Sequence, residues 1–216
     1  VTGICGSGII EVLAEMYLAG ILTVDGTIDG TQAARSPRIR PEGRTFSYLL
    51  HQGEQEISII QNDVRAIQLG KAALYAGIRL LMDRLGVEQL DQIMLAGAFG
   101  SHIDTKYAMV LGMIPDCPLD QVYSAGNAAG TGARIALLNQ GARDEIEEVI
   151  RQVEKIETAV EPKFQAHFVE AMGIPHTTAA FPNLAKAVTL PAAKPRAPAN
   201  DSGEPGGRRR RRRGQG

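Results

Sequence analysis

Cysteine is scarce in this chain. Only Cys5 and Cys117 occur among its 216 residues, and two thiols cannot supply the four ligands of an ordinary iron–sulfur cluster. They lie far apart and match no secreted disulfide framework, so the expected compartment is the reducing cytoplasm. No uninterrupted apolar run is long enough to span a bilayer, and no membrane contact is expected. No charged-then-apolar leader opens the chain, which argues against export. His167 and His176 lack metal-ligand spacing to other His or Cys residues, so both read as surface or packing histidines and no metal site is expected.

A formal net charge of −1 hides an asymmetry. Residues 186–216 carry nine Lys or Arg against Asp201 and Glu204, a net of +7, which leaves −8 on the rest. From about Thr177 the composition shifts to Ala, Pro and Lys, ending in the run Arg208 to Arg213. Such a segment cannot bury a core, so residues 179–216 are expected to form a disordered tail. Six arginines can bind nucleic acid non-specifically by releasing counterions. With no aromatic residue beside them for stacking, they read first as a solvated tail.

What the chain does carry is organised around Ile93-Met-Leu-Ala-Gly97-Ala-Phe-Gly100-Ser-His-Ile-Asp104. Residues 93–96 are an apolar run of strand length. Gly97 and Gly100 permit unusual backbone angles and a close approach to a ligand or a neighbouring helix. Asp104 stands where a helix N-cap belongs, ahead of Thr105 to Leu111. A strand, glycine turn and helix in this order bring backbone N–H groups and a helix N-terminus to the carboxyl end of a sheet, where nucleotides bind in open α/β folds. His102, just beyond the turn, could face a ligand, with a supporting or solvent-facing role an equal alternative.

The unit recurs. Gln121 to Ala125 reads as a strand, and Gly126-Asn127-Ala-Ala-Gly130-Thr131-Gly132-Ala133 as a second glycine turn, with helix from Arg134 to Asn139. The repetition supports an α/β sheet with both turns at one end. The small residues between Asn127 and Ala133 suit close approach to something flat, either a nucleotide base or another helix.

Upstream, Gly3 to Gly8 is a glycine-rich entry to a helix. Ser7 is its expected N-cap, Ile9 to Ala19 its body and Gly20 its C′ residue. Gly6, Ser7 and Gly8 could approach a phosphate, or could serve only tight packing. Asp25-Gly26 and Asp29-Gly30 mark turns, and residues 31–44 read as an exposed loop. Residues 45–50 and 56–60 suit a hairpin. Asn62 or Asp63 is expected to cap a long helix running to about Leu85, closed by Gly86. Its apolar stripe is Val64, Ile67, Leu74, Ile78, Leu81 and Leu85. Lys71 lies on that stripe. It could reach a phosphate, or its stem could pack while the ammonium snorkels to water. Asp144 to Ile156 and Pro162 to Met172 read as two further helices.

Taken together, Gly3 to Gly8, Gln61 to Gln68, Leu95 to Asp104 and Gly126 to Ala133 resemble the C-terminal ATPase domain of the reductive activators of corrinoid proteins. Lys155 to Pro162 and Phe164 to Phe168 fit the end of that domain, so the resemblance covers about residues 1–178. It implies an α/β fold of the ASKHA type, the actin, sugar kinase and heat-shock superfamily. The domain expected is an incomplete actin-like, ribonuclease-H-like ATPase domain, with a mixed sheet flanked by helices.

Full-length members of that family use ATP to drive reduction of cob(II)alamin to cob(I)alamin, which then serves methyl transfer. The resemblance matches Gly97, Ala98, Phe99 and Gly100 to the adenosine-side loop, with Gly126, Asn127, Gly130 and Thr131 beside it. ATP with Mg is the implied cofactor. A [2Fe–2S] cluster is expected only in a full-length protein. A corrinoid protein or methyltransferase is the implied partner, and a homodimer is a further expectation.

The sequence departs from the superfamily in its phosphate-gripping Asp-x-Gly turns. None precedes Val1, and Asp25-Gly26 and Asp29-Gly30 lack a flanking buried strand. The chain is therefore expected to be a C-terminal portion of a larger activator, neither hydrolysing ATP quickly nor carrying electrons by itself. No catalytic residue is assigned. Two readings compete: a non-catalytic docking module that meets its partner through the acidic body, and an accessory nucleic-acid binder acting through the Arg tail.

Overall fold

The computed structural model describes residues 1–97 and 100–192. Its order is α1 (Gly6–Leu18), β1 (Ile39–Glu42), β2 (Thr45–His51), β3 (Ile57–Ile59), α2 (Gln61–Leu85), β4 (Ile93–Ala96), α3 (Thr105–Leu111), β5 (Val122–Gly126), α4 (Ala128–Leu138), α5 (Gln140–Gln152), α6 (Phe164–Glu170) and α7 (Pro182–Ala187). The strands form two sheets among the described residues: β1-β2-β3, antiparallel throughout, and a parallel β4-β5 pair. No helix among the described residues is long and apolar enough to cross a membrane.

The β2–β3 hairpin forms as expected, but residues 31–44 are more than a loop. Asp29 caps a short 3-10 turn at Gly30–Ala34, and β1 then pairs with β2, Ile39 opposite Tyr48 and Pro41 opposite Phe46. Pro41 is accommodated because β1 lies on the sheet edge, where a missing N–H costs nothing.

The N-cap of α1 stands two residues earlier than expected. Cys5 is the N-cap residue and Ser7 lies inside the first turn. Ile10, Leu13, Ala14, Met16 and Tyr17 are its buried face, and α1 packs on α3. Gly20 turns the chain out of the helix with φ +71°, as anticipated.

α2 starts at Gln61 with Ile60 as N-cap, so neither Asn62 nor Asp63 holds that place. Asp63 instead accepts the Ile60 N–H from within the first turn, at 2.9 Å. Gly86 closes the helix in the left-handed conformation. The buried face of α2 differs from the expected stripe: Val64, Gln68, Lys71, Ala72, Tyr75, Ala76, Leu80 and Met82 point inward. Leu74, Leu81 and Leu85 of that stripe are exposed. Apolar periodicity alone misses a face that carries two polar side chains. Gln68 and Lys71 are drawn inside by backbone carbonyls awaiting a donor.

The C-terminal boundary also moves. The tail was expected to begin at 179, yet α7 follows, and Phe181 and Leu184 belong to the core with α1, α3 and Ile174. Asp116 holds α7 in place, accepting from the Asn183 N–H at 3.0 Å and the Leu184 N–H at 2.9 Å. The arginine run from Arg208 to Arg213 lies outside the described residues.

Candidate functional site

β4 and β5 run side by side, Ile93 opposite Val122 and Leu95 opposite Ser124. Both therefore end at the same edge of the molecule, and their glycine turns meet there. The Gly97 N–H donates to the Gly126 carbonyl at 2.8 Å. Gly97 has φ +104° and Gly126 φ +64°, the region that L side chains rarely adopt. A Cβ built on either would meet nothing within 4 Å. Conformation disfavours a side chain at both positions, and no atom of the described residues crowds either one.

The second turn is fixed from two directions. Ser124 Oγ accepts the Gly126 N–H at 3.1 Å, where the strand register shifts. Asn127 then caps α4, its Oδ1 accepting the Gly130 N–H at 3.0 Å. The helix starts at Ala128, so Gly130, Thr131 and Gly132 stand in its first turns rather than in a loop, a correction to the expected start at Arg134. The small residues leave the N-terminal end of α4 unscreened: Ala128, Ala129 and Thr131 are exposed. Ser124 is a positioning residue that the sequence pattern did not single out; a hydroxyl two residues before a turn glycine is its only signal.

On the β4 side, the Ser101 N–H returns to the Gly97 carbonyl at 3.1 Å. Gly100 fits closely against the strand end, since a Cβ there would come within 3.2 Å of the Ala96 carbonyl. Asp104 caps α3 as anticipated, accepting the N–H groups of Lys106 at 2.9 Å and Tyr107 at 3.2 Å. Ala98 and Phe99 lie outside the described residues. His102 is exposed.

Gly97, Gly100, Gly126, Asn127, Gly130 and Thr131 are thus brought to one edge. Gly6, Ser7 and Gly8 lie in the first turn of α1, where the hydrogen bonding described is local, Cys5 Sγ lying 3.4 Å from Ser7 Oγ. That contact, with the Gly8 backbone, draws the exposed Cys5 thiol below its ordinary pKa. A sizeable cleft lies elsewhere among the described residues. It is about 670 Å³ and is lined by Tyr75, Arg79, Asp91, Asp116 and Asn183 among others.

Lys71 does not snorkel. It is 2% exposed, and its ammonium donates to the carbonyls of Gly173 and of Pro175, the latter at 2.8 Å. Burial pulls its pKa down to about 7. His167 Nε2 lies at hydrogen-bond distance, 3.0 Å, from Asp83 Oδ2.

With this geometry in hand, comparison with known proteins decides the family. Residues 1–185 match the family model described as the C-terminal domain of RACo, the ASKHA domain. The chain belongs to that family. The corrinoid activation enzyme RamQ of Eubacterium limosum is 35% identical over 174 residues, covering 75% of this chain and 29% of RamQ. A solved structure, the reductive activator for corrinoid, iron–sulfur protein, superposes with a TM-score of 0.72 at 34% identity, over 81% of this chain and 29% of the other. This ASKHA chain therefore spans less than a third of either relative's length. Its α/β architecture, with sheets flanked by helices, is that of the family.

Proposed function

We propose that this chain is the nucleotide-binding C-terminal part of an ATP-dependent activator that reduces the cobalt of a corrinoid protein from cob(II)alamin to cob(I)alamin. The observation that carries the reading is the junction of the two glycine turns, Gly97 on Gly126, in a chain of this family.

The residues at that junction fit one end of a nucleotide. Gly97, Gly100 and Gly126 expose backbone, and Asn127 organises the start of a helix whose first N–H groups favour an electron-rich ligand atom. Ala98, Phe99, Gly130 and Thr131 complete the proposed adenosine side. Gly6, Ser7 and Gly8 are proposed for the phosphate side, at the N-terminal end of α1. ATP, when bound with Mg, supplies the free energy that makes reduction to the +1 state run forward.

The described residues offer no group of three His, Cys, Asp or Glu side chains able to hold a metal ion, so we assign no magnesium ligand here. Nor do they fit an iron–sulfur cluster: Cys5 is exposed and Cys117 is buried. The electron path is proposed to belong to other parts of the activator. Nucleotide binding acts by favouring one of two arrangements of the donor–acceptor complex. A corrinoid protein or its methyltransferase is the proposed partner.

The test is a spectrophotometric corrinoid-reduction assay with an intact activator containing this region. Cob(I)alamin is expected to accumulate only with ATP, and Thr131→Glu is expected to raise the ATP concentration needed at least tenfold. Reduction at the same rate without nucleotide would overturn the proposal.

A further inference from the structure

α2 presents three residues in line to the segment that follows α6. Gln68 Nε2 donates to the Met172 carbonyl at 2.9 Å and to the Asp25 carbonyl at 3.1 Å. Lys71 donates to the carbonyls of Gly173 and Pro175. The Tyr75 ring lies 4.7 Å from that of His176, centre to centre. The segment is held from other sides too: the Ile174 N–H reaches the Val24 carbonyl at 2.8 Å, and the Thr177 N–H the Glu170 carbonyl at 3.0 Å.

His176 does more than pack. Its Nδ1 accepts the N–H of Thr178 at 3.1 Å and of Ala179 at 2.9 Å. A nitrogen that accepts two N–H groups carries no proton, so the ring here is neutral with its hydrogen on Nε2. This turn leads directly into α7, whose Leu184 is wholly buried.

We propose that Lys71 and His176 form a proton-controlled latch on the C-terminal segment, residues 173–188, which closes while the His176 ring is neutral and is released when Nδ1 takes a proton. Protonation removes the acceptor for two backbone N–H groups at once. It also sets a second cation near the Lys71 ammonium, whose hydrogen bonds run to carbonyls rather than to a carboxylate. Release would uncover Ile174, Phe181 and Leu184, which are core residues. The latch would thereby convert acidification into an exposed apolar surface on this domain.

The surroundings of the ring favour its neutral form on balance. Burial and then the Lys71 charge lower the His176 pKa, His167 adds a smaller push the same way, and Glu170 opposes them, leaving it at about 4 instead of 6.5. Arg79 and Asp116 act on the neighbouring Tyr75, with Glu170. A released ring titrates near 6.5, so the released state gains protons first as pH falls from 6.5 toward 4, and closure weakens across that window.

The experiment is hydrogen exchange of the 216-residue chain at pH 7.5, 6.0 and 5.0, corrected for intrinsic exchange rates. Protection of the Thr178, Ala179, Leu184 and Val188 amides is expected to drop at least tenfold from pH 7.5 to 5.0, with α3 keeping its protection. His176→Asn keeps an acceptor oxygen near Nδ1 but cannot titrate, and is expected to flatten the response. Should that variant fail to fold, a ¹⁵N-histidine titration of the wild-type chain decides: an Nε2–H tautomer that persists below pH 5.5 supports the latch. Protection independent of pH, an unchanged response in a folded His176→Asn chain, or a His176 ring that titrates near 6.5 would each overturn it. None of these outcomes bears on the nucleotide reading.

Discussion

The Gly97 N–H donates to the Gly126 carbonyl across 2.8 Å, joining the turns that end the two parallel strands. That single bond makes the turns one structure. Both glycines have positive φ, so each is where it is because no other residue could be there without strain. The consequence is a backbone-rich edge, held from the side by the Ser124 hydroxyl and the Asn127 amide oxygen.

Asn127 sets the direction of that edge through its cap on Gly130. Asn127→Ala is expected to cost about 1 kcal/mol of stability, the usual price of a lost N-cap. It should also weaken nucleotide binding by the intact activator several-fold more than Asn127→Asp, which keeps an accepting oxygen. Urea denaturation and equilibrium titration with a fluorescent ATP analogue check the two halves.

Lys71 makes stability depend on pH in an unusual direction. Its pKa is about 7 when folded against 10.5 ordinarily. Between those values the unfolded chain binds more protons than the folded one, so stability rises with pH from about 7 toward 10. The ceiling on this slope is about 1.4 kcal/mol per pH unit. Lys71→Met is expected to reduce it, while losing the hydrogen bonds to Gly173 and Pro175. Urea midpoints at pH 7, 8 and 9 for both chains are the check.

Gly112 ends α3 with φ +72°, and a Cβ on it would fall 1.8 Å from the Pro175 carbonyl oxygen. Gly112→Ala combines backbone strain with a collision against backbone, which cannot swing away. A loss of about 2–3 kcal/mol is expected, with the melting temperature lowered by several degrees. Gly43→Ala shares the positive φ but meets nothing within 4 Å, and should cost less.

Leu184 tests the C-terminal boundary. It is 0% exposed, so Leu184→Ala should destabilise by about 2–5 kcal/mol. A residue in a solvated tail would show no effect. Thermal melts of the two chains decide between these.

These positions also show where the sequence was informative. Asp104 with α3, Gly86 after α2 and the β2–β3 hairpin were readable because each rests on local chemistry: a cap, a left-handed C′ residue, a short connection between alternating runs. The two glycine turns could be located, and their sharing of one end followed from the repeated strand–turn–helix order. The bond between Gly97 and Gly126 could not be seen, because it depends on the register of two strands far apart in sequence. The inward places of Lys71 and Gln68 were not legible for a related reason. Their partners are distant in the chain, the 172–175 backbone for both and also the Asp25 carbonyl for Gln68, and an apolar pattern cannot register carbonyls. Leu184 was hidden by its neighbours, since a Pro- and Ala-rich stretch reads as tail until Asp116 caps its short helix. Ser7 was assigned the cap by residue type, while the chain gives that place to Cys5.

The account rests on a nucleotide reaching the joined turns, and hydrogen exchange of an intact activator with and without saturating Mg-ATP reads this directly. Amides of residues 97–101 and 126–131 are expected to exchange at least several-fold more slowly with nucleotide, while those of β1 to β3 stay unchanged. Tight nucleotide binding that leaves both turns exchanging at their free rates would contradict the assignment.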